Sequence, residues 1–128
     1  MNLFGWLKPK TFGRFRVSPE TAGRIKSDWK NIGKLVTSKG PSQLKQALIT
    51  ADKTLDNALK EVVVGETMGE RLRNAKDLFD YETYNKIWEA HKIRNNLVHE
   101  AGYEPPHHMI TDAIEKLRRG LNSLHVQV

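Results

Sequence analysis

The sequence predicts an all-α fold, an antiparallel bundle of four long helices and one short helix. Apolar residues recur at steps of three and four residues in successive segments, which is the period of a helix with one buried face. No segment alternates apolar and polar residues over the length of a strand, and no Asn-Gly or Asp-Gly pair joins two β-rich runs. Because the connections between the long segments are short, neighbouring helices are expected to be antiparallel.

The first helix is expected to run from Pro19 to about Ser38. Ser18 is a suitable N-cap, and a proline fits the first helical position. Gly40 and Pro41 stop the helix after a basic last turn. Its apolar stripe consists of Ala22, Ile25, Trp29, Ile32 and Val36.

The second helix has the longest regular apolar face. Ser42 is expected to cap it, and Gly65 is expected to break it after about Val64. The face consists of Leu44, Ala47, Leu48, Ala51, Leu55, Ala58, Leu59 and Val62.

Three further helices are expected in the second half of the chain. Thr67 and Glu70 have the spacing of a capping box, which predicts a short helix to about Lys76. Asp80 is then the expected cap of a fourth helix that ends near Gly102. Two prolines prevent this helix from continuing, and the fifth helix follows on the face formed by Met109, Ile110, Ala113, Ile114, Leu117, Leu121 and Leu124.

Residues 1–17 are interpreted as a basic and aromatic arm outside a single helical domain of residues 18–128. The arm contains no acidic residue and holds four of the six excess positive charges of the chain. It either stacks on bases and follows phosphates, lies on an anionic membrane surface, or packs its aromatic rings on the domain or on a second subunit. Its aromatic residues are Phe4, Trp6, Phe12 and Phe15, and its expected RNA-binding residues are Lys8, Lys10, Arg14 and Arg16.

Composition excludes several classes of protein. The 128-residue chain has no cysteine, so disulfides, thiolate metal sites and cysteine nucleophiles are excluded, and a cytoplasmic location is expected. The longest apolar run, at residues 62–64, is far shorter than the ~20 residues that span a membrane. We therefore expect no integral membrane segment and no signal peptide.

Arg94, Asn95 and His99 form the most informative motif. Arginine offers a permanently charged fork of donors that matches phosphate oxygens, and histidine can move a proton near neutral pH. Arg94 and His99 are five positions apart, which on a straight helix means ~140° around the axis and about 7.5 Å along it. Either the helix ends between the two residues, or a second copy of the chain completes the site.

This motif resembles the signature of the HEPN (higher eukaryote and prokaryote nucleotide-binding) superfamily, and Arg94, Asn95 and His99 match it position by position. The resemblance extends to the order of the helices. It implies a homodimeric, metal-independent RNA endonuclease with its motifs in a cleft at the dimer interface. Arg94 would neutralise the scissile phosphate, Asn95 would orient it or its partner residue, and His99 would exchange a proton with the 2′-hydroxyl or the leaving oxygen.

The resemblance departs from one subgroup of that superfamily. In the toxins that are paired with nucleotidyltransferase antitoxins, a tyrosine lies two residues after the histidine, where this chain has Ala101. Other members of the superfamily bind nucleic acid, nucleotides or proteins without cutting, so a non-catalytic binding module is the alternative. RNA and a second copy of the chain are the expected partners, and an antitoxin or another protein partner is left open.

Three other groups of polar residues have alternative interpretations. His91 lies one turn before Asn95 and either lines the cleft as an RNA contact or is a partly buried structural histidine. Asp52 and Asp56 are paired carboxylates, an acidic part of the cleft, or a solvated edge. No two histidines have the spacing that places two ligands on one helical face, so no metal and no other cofactor is expected.

Overall fold

The computed structural model describes residues 16–128, and in this range the chain forms α-helices and one 3-10 turn, with no β-strand. The predicted all-α class is confirmed. Four helices have 17 to 22 residues and one has seven. They are α1 (Pro19–Ser38), α2 (Pro41–Val62), α3 (Met68–Asn74), α4 (Tyr81–His99) and α5 (His107–Ser123), with the 3-10 turn at Lys76–Leu78.

Side chains cap three helices at the predicted residues. Ser18 accepts a hydrogen bond from a backbone N–H of α1 at 3.3 Å, Thr67 from one of α3 at 3.1 Å, and Asp80 from one of α4 at 2.7 Å. Each bond satisfies an N–H group that has no partner inside its own helix. These three starts could be predicted because the capping oxygen lies next to the helix that it caps.

The start of α2 and three helix ends differ from the predictions. α2 begins at Pro41 with Gly40 as N-cap, so the predicted cap at Ser42 is wrong. The reason is that proline has the backbone angle of the first helical position, which makes the helix begin earlier. α2 ends at residue 62 rather than 64, α3 ends at residue 74 and is followed by the 3-10 turn, and α4 ends at His99 rather than near Gly102.

α2 is the central helix of the bundle. It packs against α1 and α5, and α4 packs against α5. Leu48, Leu55 and Leu59 of α2 are fully buried. A Cβ atom at Gly120 of α5 would lie 2.8 Å from Cδ1 of Ile87 on α4, so the glycine allows these two helices to pack closely.

An ion pair fastens α3 to α2. The guanidinium of Arg71 donates to both carboxylate oxygens of Asp56, at 2.7 and 2.9 Å, and to the carbonyl oxygen of Gly65 at 2.8 Å. Arg71 is buried, and the side chain of Asp56 is 17% exposed. Gly65 has a φ of +150°, and a Cβ atom there would lie 3.0 Å from the backbone nitrogen of Arg71. The turn between α2 and α3 therefore requires a glycine.

The cap at Asp80 makes α4 sensitive to acid. The backbone N–H of Thr83 donates to this carboxylate and lowers its pKa below the ordinary value. Because the folded pKa is the lower one, the stabilisation is present above the unfolded pKa of about 3.9 and is lost as pH falls through the folded pKa. In urea unfolding, the stability advantage of the wild type over Asp80→Asn, which keeps the accepting oxygen but does not titrate, should shrink between pH 7 and pH 3. An advantage that stays constant over this range would contradict the assignment.

Most of the N-terminal arm lies outside the described residues. This holds for three of its predicted RNA-binding residues and for all of its aromatic residues: Lys8, Lys10, Arg14, Phe4, Trp6, Phe12 and Phe15. Arg16 is exposed, whereas Val17, at the end of the predicted arm, is buried in the core. Of the helices within residues 16–128, none combines the length and apolar character that a membrane crossing requires.

Candidate functional site

α4 carries the complete motif of Arg94, Asn95 and His99 on one uninterrupted helix, since His99 is the last helical residue. One of the two expected routes to a working site is therefore excluded, because the helix does not end between Arg94 and His99. On this helix the two side chains point ~140° apart. One copy of this helix therefore does not direct both side chains toward the same point.

A buried carboxylate on α2 anchors the motif. Asp52 is only 2% exposed, and its two oxygens lie 3.0 and 3.2 Å from Nδ1 of His91. An ionised carboxylate accepts hydrogen bonds and cannot donate them, so Nδ1 of His91 is the nitrogen that donates to Asp52. The other ring nitrogen, Nε2, is not used in this contact. Nε of Arg94 lies 3.5 Å from the same carboxylate. One acidic side chain of α2 therefore fixes two basic side chains that are one turn apart on α4.

The guanidinium of Arg94 is held along one edge and free along the other. Nε is buried and makes no hydrogen bond, so its contact with Asp52 is an attraction between charges. Nη1 donates to Oδ1 of Asn95 at 2.9 Å. Of the five N–H groups of the guanidinium, the other three have no acceptor among residues 16–128. Since the side chain is 30% exposed, these donors are available to an anion from solvent.

The structure places His91 away from solvent, although it was predicted as an RNA contact. The residue is 7% exposed, and its imidazole makes a T-shaped contact with the ring of Trp88, with 5.9 Å between the ring centroids. Trp88 in turn makes an edge contact with Tyr84. This burial favours the alternative that His91 is a structural histidine, bound to Asp52.

His99 differs from His91 in its surroundings. It is exposed at the end of α4, and its side chain makes no hydrogen bond or ion pair with any residue of the range 16–128. The preceding residue, Val98, is 47% exposed, although it continues the stripe of Ile87, His91 and Arg94 that faces the core. The last turn of α4 therefore exposes one apolar side chain, that of Val98, whereas Leu97 beside it packs against the core.

The two aspartates of α2 have different roles, which the sequence did not separate. Asp52 binds His91 and Arg94, whereas Asp56 binds Arg71. The interpretation of the pair as a solvated edge is wrong for Asp52. A signal for its burial exists in the sequence, because Asp52 lies four residues after Leu48 and three before Leu55, inside the apolar stripe of α2.

The remaining candidates do not gather into a site. Within residues 16–128, no group of three or more histidine and carboxylate side chains is arranged to hold a metal ion. His107 and His108 are exposed at the start of α5. Glu70 serves as a cap, since its carboxylate accepts the backbone N–H of Glu66 at 2.8 Å.

Comparison of the chain with protein-family models, with curated proteins and with solved structures finds no match. The functional assignment therefore depends on the side chains of α4 and on their anchor in α2.

Proposed function

We propose that this chain is a metal-independent RNA endonuclease of the HEPN type, with a composite site at the interface of a homodimer. The proposal includes the antiparallel HEPN-like arrangement of the helices and a cytoplasmic location, which the absence of cysteine favours. Arg94, Asn95 and His99 are the catalytic residues of this proposal.

The observation that carries the proposal is the fixed position of Arg94. Asp52 and Asn95 hold its guanidinium, and three N–H donors on the exposed edge have no acceptor among residues 16–128. Donors that are fixed before the reaction stabilise developing charge more effectively than mobile ones, since they need not reorganise as the charge forms. This arrangement suits the extra negative charge of a phosphodiester under attack.

Two features support a homodimer. The continuous helix separates Arg94 and His99 around its axis, so a second copy is needed to bring both kinds of side chain to one phosphate. Val98, next to His99, leaves an apolar side chain uncovered on the core-facing stripe of α4. A twofold contact along the last turn of α4 would cover Val98 and bring the two motifs together.

The reaction needs no group beyond the RNA and these side chains. The 2′-oxygen attacks the adjacent phosphorus and gives its proton to one imidazole of His99, while the bond to the 5′-oxygen breaks and this oxygen takes a proton from a second imidazole. A dimer provides two copies of His99, enough for both transfers. The products carry a 2′,3′-cyclic phosphate and a 5′-hydroxyl.

A direct test is incubation of the purified protein with single-stranded RNA in EDTA. We expect cleavage with cyclic-phosphate ends, and no cleavage of a DNA strand of the same sequence, because DNA lacks the 2′-oxygen. Cleavage of both strands would contradict attack by the 2′-hydroxyl. Binding without any product would leave the alternative, a non-catalytic module that binds nucleic acid, a nucleotide or a protein.

The composite site has its own test. Arg94→Ala and His99→Ala proteins should each lose most of the activity, but their mixture should regain part of it. In a mixed dimer, Arg94 of one chain and His99 of the other are both intact and meet in the shared cleft, and water can replace the second imidazole in proton transfer. A mixture that stays inactive, although the two proteins exchange subunits, would show that the site does not form across the interface.

A further inference from the structure

A second polar feature lies on another side of α2. α1 and α2 enclose a groove of about 530 Å³ along their outer junction. Its charged lining residues are Arg24 and Asp28 from α1 and Lys53 from α2, and its neutral polar lining includes Thr50 and Asn57. The lining of α2 extends from residue 46 to residue 57, which at 1.5 Å per residue is about 16 Å. The groove is therefore elongated rather than round.

The charged side chains of the groove have no partners of opposite charge among the residues that the structure describes. Arg24, Lys53 and Asp28 form no ion pair within residues 16–128. Elsewhere on the surface such pairs are common, for example between Lys86 and Glu82 and between Lys116 and Glu89. Among residues 16–128, the lining thus has two cations and one anion that form no ion pair, an excess of one positive charge.

Arg24 is held in place toward the groove. Its Nη2 donates to the hydroxyl oxygen of Thr21 at 3.1 Å, and this hydroxyl donates to the carboxylate of Glu61 on α2. The same carboxylate accepts the backbone N–H of Ser18 at 2.8 Å. The cation at one wall of the groove is therefore fixed by a chain of hydrogen bonds that joins α1 to α2.

We propose that the α1–α2 groove binds the phosphate backbone of single-stranded RNA, as a site separate from the one at Arg94. An elongated groove with spaced cations and neutral hydrogen-bonding groups suits a chain of phosphates and sugars, as in proteins that follow a single strand without reading its sequence. Asp52, which binds His91 and Arg94, and Lys53, which lines the groove, are consecutive residues. Their side chains therefore lie ~100° apart around the axis of α2, so the two sites are on different sides of this helix. The inference rests on the proposed function for the choice of RNA.

Binding in the non-cleaving His99→Ala protein tests the groove. The probe is a fluorescein-labelled single-stranded RNA of about 12 nucleotides, within the usual range of site sizes, measured by fluorescence anisotropy at several salt concentrations. Adding Arg24→Ala and Lys53→Ala should weaken affinity on the order of tenfold. The magnitude of the slope of log affinity against log salt concentration should fall by about 1.4, because each neutralised phosphate of a single strand contributes about 0.7 to it. Adding Asp28→Asn instead should strengthen affinity by about two- to fivefold, since it removes a repulsive charge.

The matched control is Lys30→Ala with Lys34→Ala, which removes two positive charges from α1 outside the groove. This pair should change affinity less than about twofold. Equal losses of affinity for the two pairs, or unchanged affinity with the groove pair, would overturn the inference. The gain with Asp28→Asn cannot arise from misfolding, so loss of structure cannot imitate the full pattern.

The outcome is independent of cleavage. If the wild-type protein cuts no RNA but the groove variants still bind RNA more weakly, the endonuclease function is contradicted and RNA binding by the groove is supported. If cleavage occurs as proposed but both pairs of variants bind RNA alike, RNA binding by the groove is contradicted and the endonuclease function is supported.

Discussion

Replacing His99 by alanine is expected to slow the proposed RNA cleavage by about 100-fold or more, because a positioned acid or base contributes this much to proton transfer. The fold should remain intact, since His99 is exposed and its side chain bonds to no residue of the range 16–128. Its loss from the helix end should cost less than about 1 kcal/mol. Initial rates with a fluorogenic RNA and urea unfolding of the same samples measure both quantities.

The control for His99 is another exposed histidine. His125 has a φ of +67°, a conformation that asparagine tolerates better than alanine does, so His125→Asn is the suitable variant. It should retain the wild-type rate. Equal cleavage by the wild type and His99→Ala would exclude the endonuclease mechanism and leave the binding module. A slow rate accompanied by a large loss of stability would show that His99 is structural.

Removing Asp56 is expected to lower the free energy of unfolding by about 3–5 kcal/mol, the usual cost of leaving a buried charge without its partner. Asp56→Ala deprives the Arg71 guanidinium of both carboxylate bonds while it stays buried. The double variant Asp56→Ala, Arg71→Met should recover much of this loss, because an apolar side chain of similar length needs no partner. Urea unfolding of the single and double variants measures the coupling between the two residues.

The matched control for Asp56 is an exposed carboxylate in an ion pair. Glu82 lies 2.8 Å from Lys86 on α4, and its side chain is 76% exposed. Glu82→Ala should cost no more than about 0.5 kcal/mol, since solvent screens this pair. Comparable losses of stability for Glu82→Ala and Asp56→Ala would contradict the assignment of a buried, stabilising fork at Arg71.

Sequence reasoning succeeds where the decisive contact is local. The capping residues bond to backbone N–H groups only three positions away, so the local sequence is sufficient to predict their roles. They are Ser18, Thr67 and Asp80. The burial of Arg71 was not predicted, because its partner is on another helix. Helix ends such as His99 are set by packing and by the following loop, and this explains why the predicted end near Gly102 was too late.

The candidate site shows the same division. Arg94, Asn95 and His99 were predicted to share α4, and they do. The anchor at Asp52 is a contact between helices, 39 residues away from His91 in sequence, and no local pattern specifies which carboxylate meets which base. The proposed dimeric arrangement would depend on a surface of a second copy, so neither the sequence nor one chain determines it.

Because His91 and Arg94 share the carboxylate of Asp52, substitutions at these three positions are expected to depend on one another. Replacement of Asp52 alone would leave His91 and Arg94 without the group that holds them, whereas replacement of either base would leave a buried acid with only one of its two basic partners. Positions 52, 91 and 94 should therefore change together among diverged descendants of this chain. A histidine and an arginine three residues apart are a short pattern that occurs often by chance, whereas the same pair together with an acidic residue on α2 that changes with them is a more specific pattern. We therefore expect distant relatives to be recognisable by positions 52, 91 and 94 considered together.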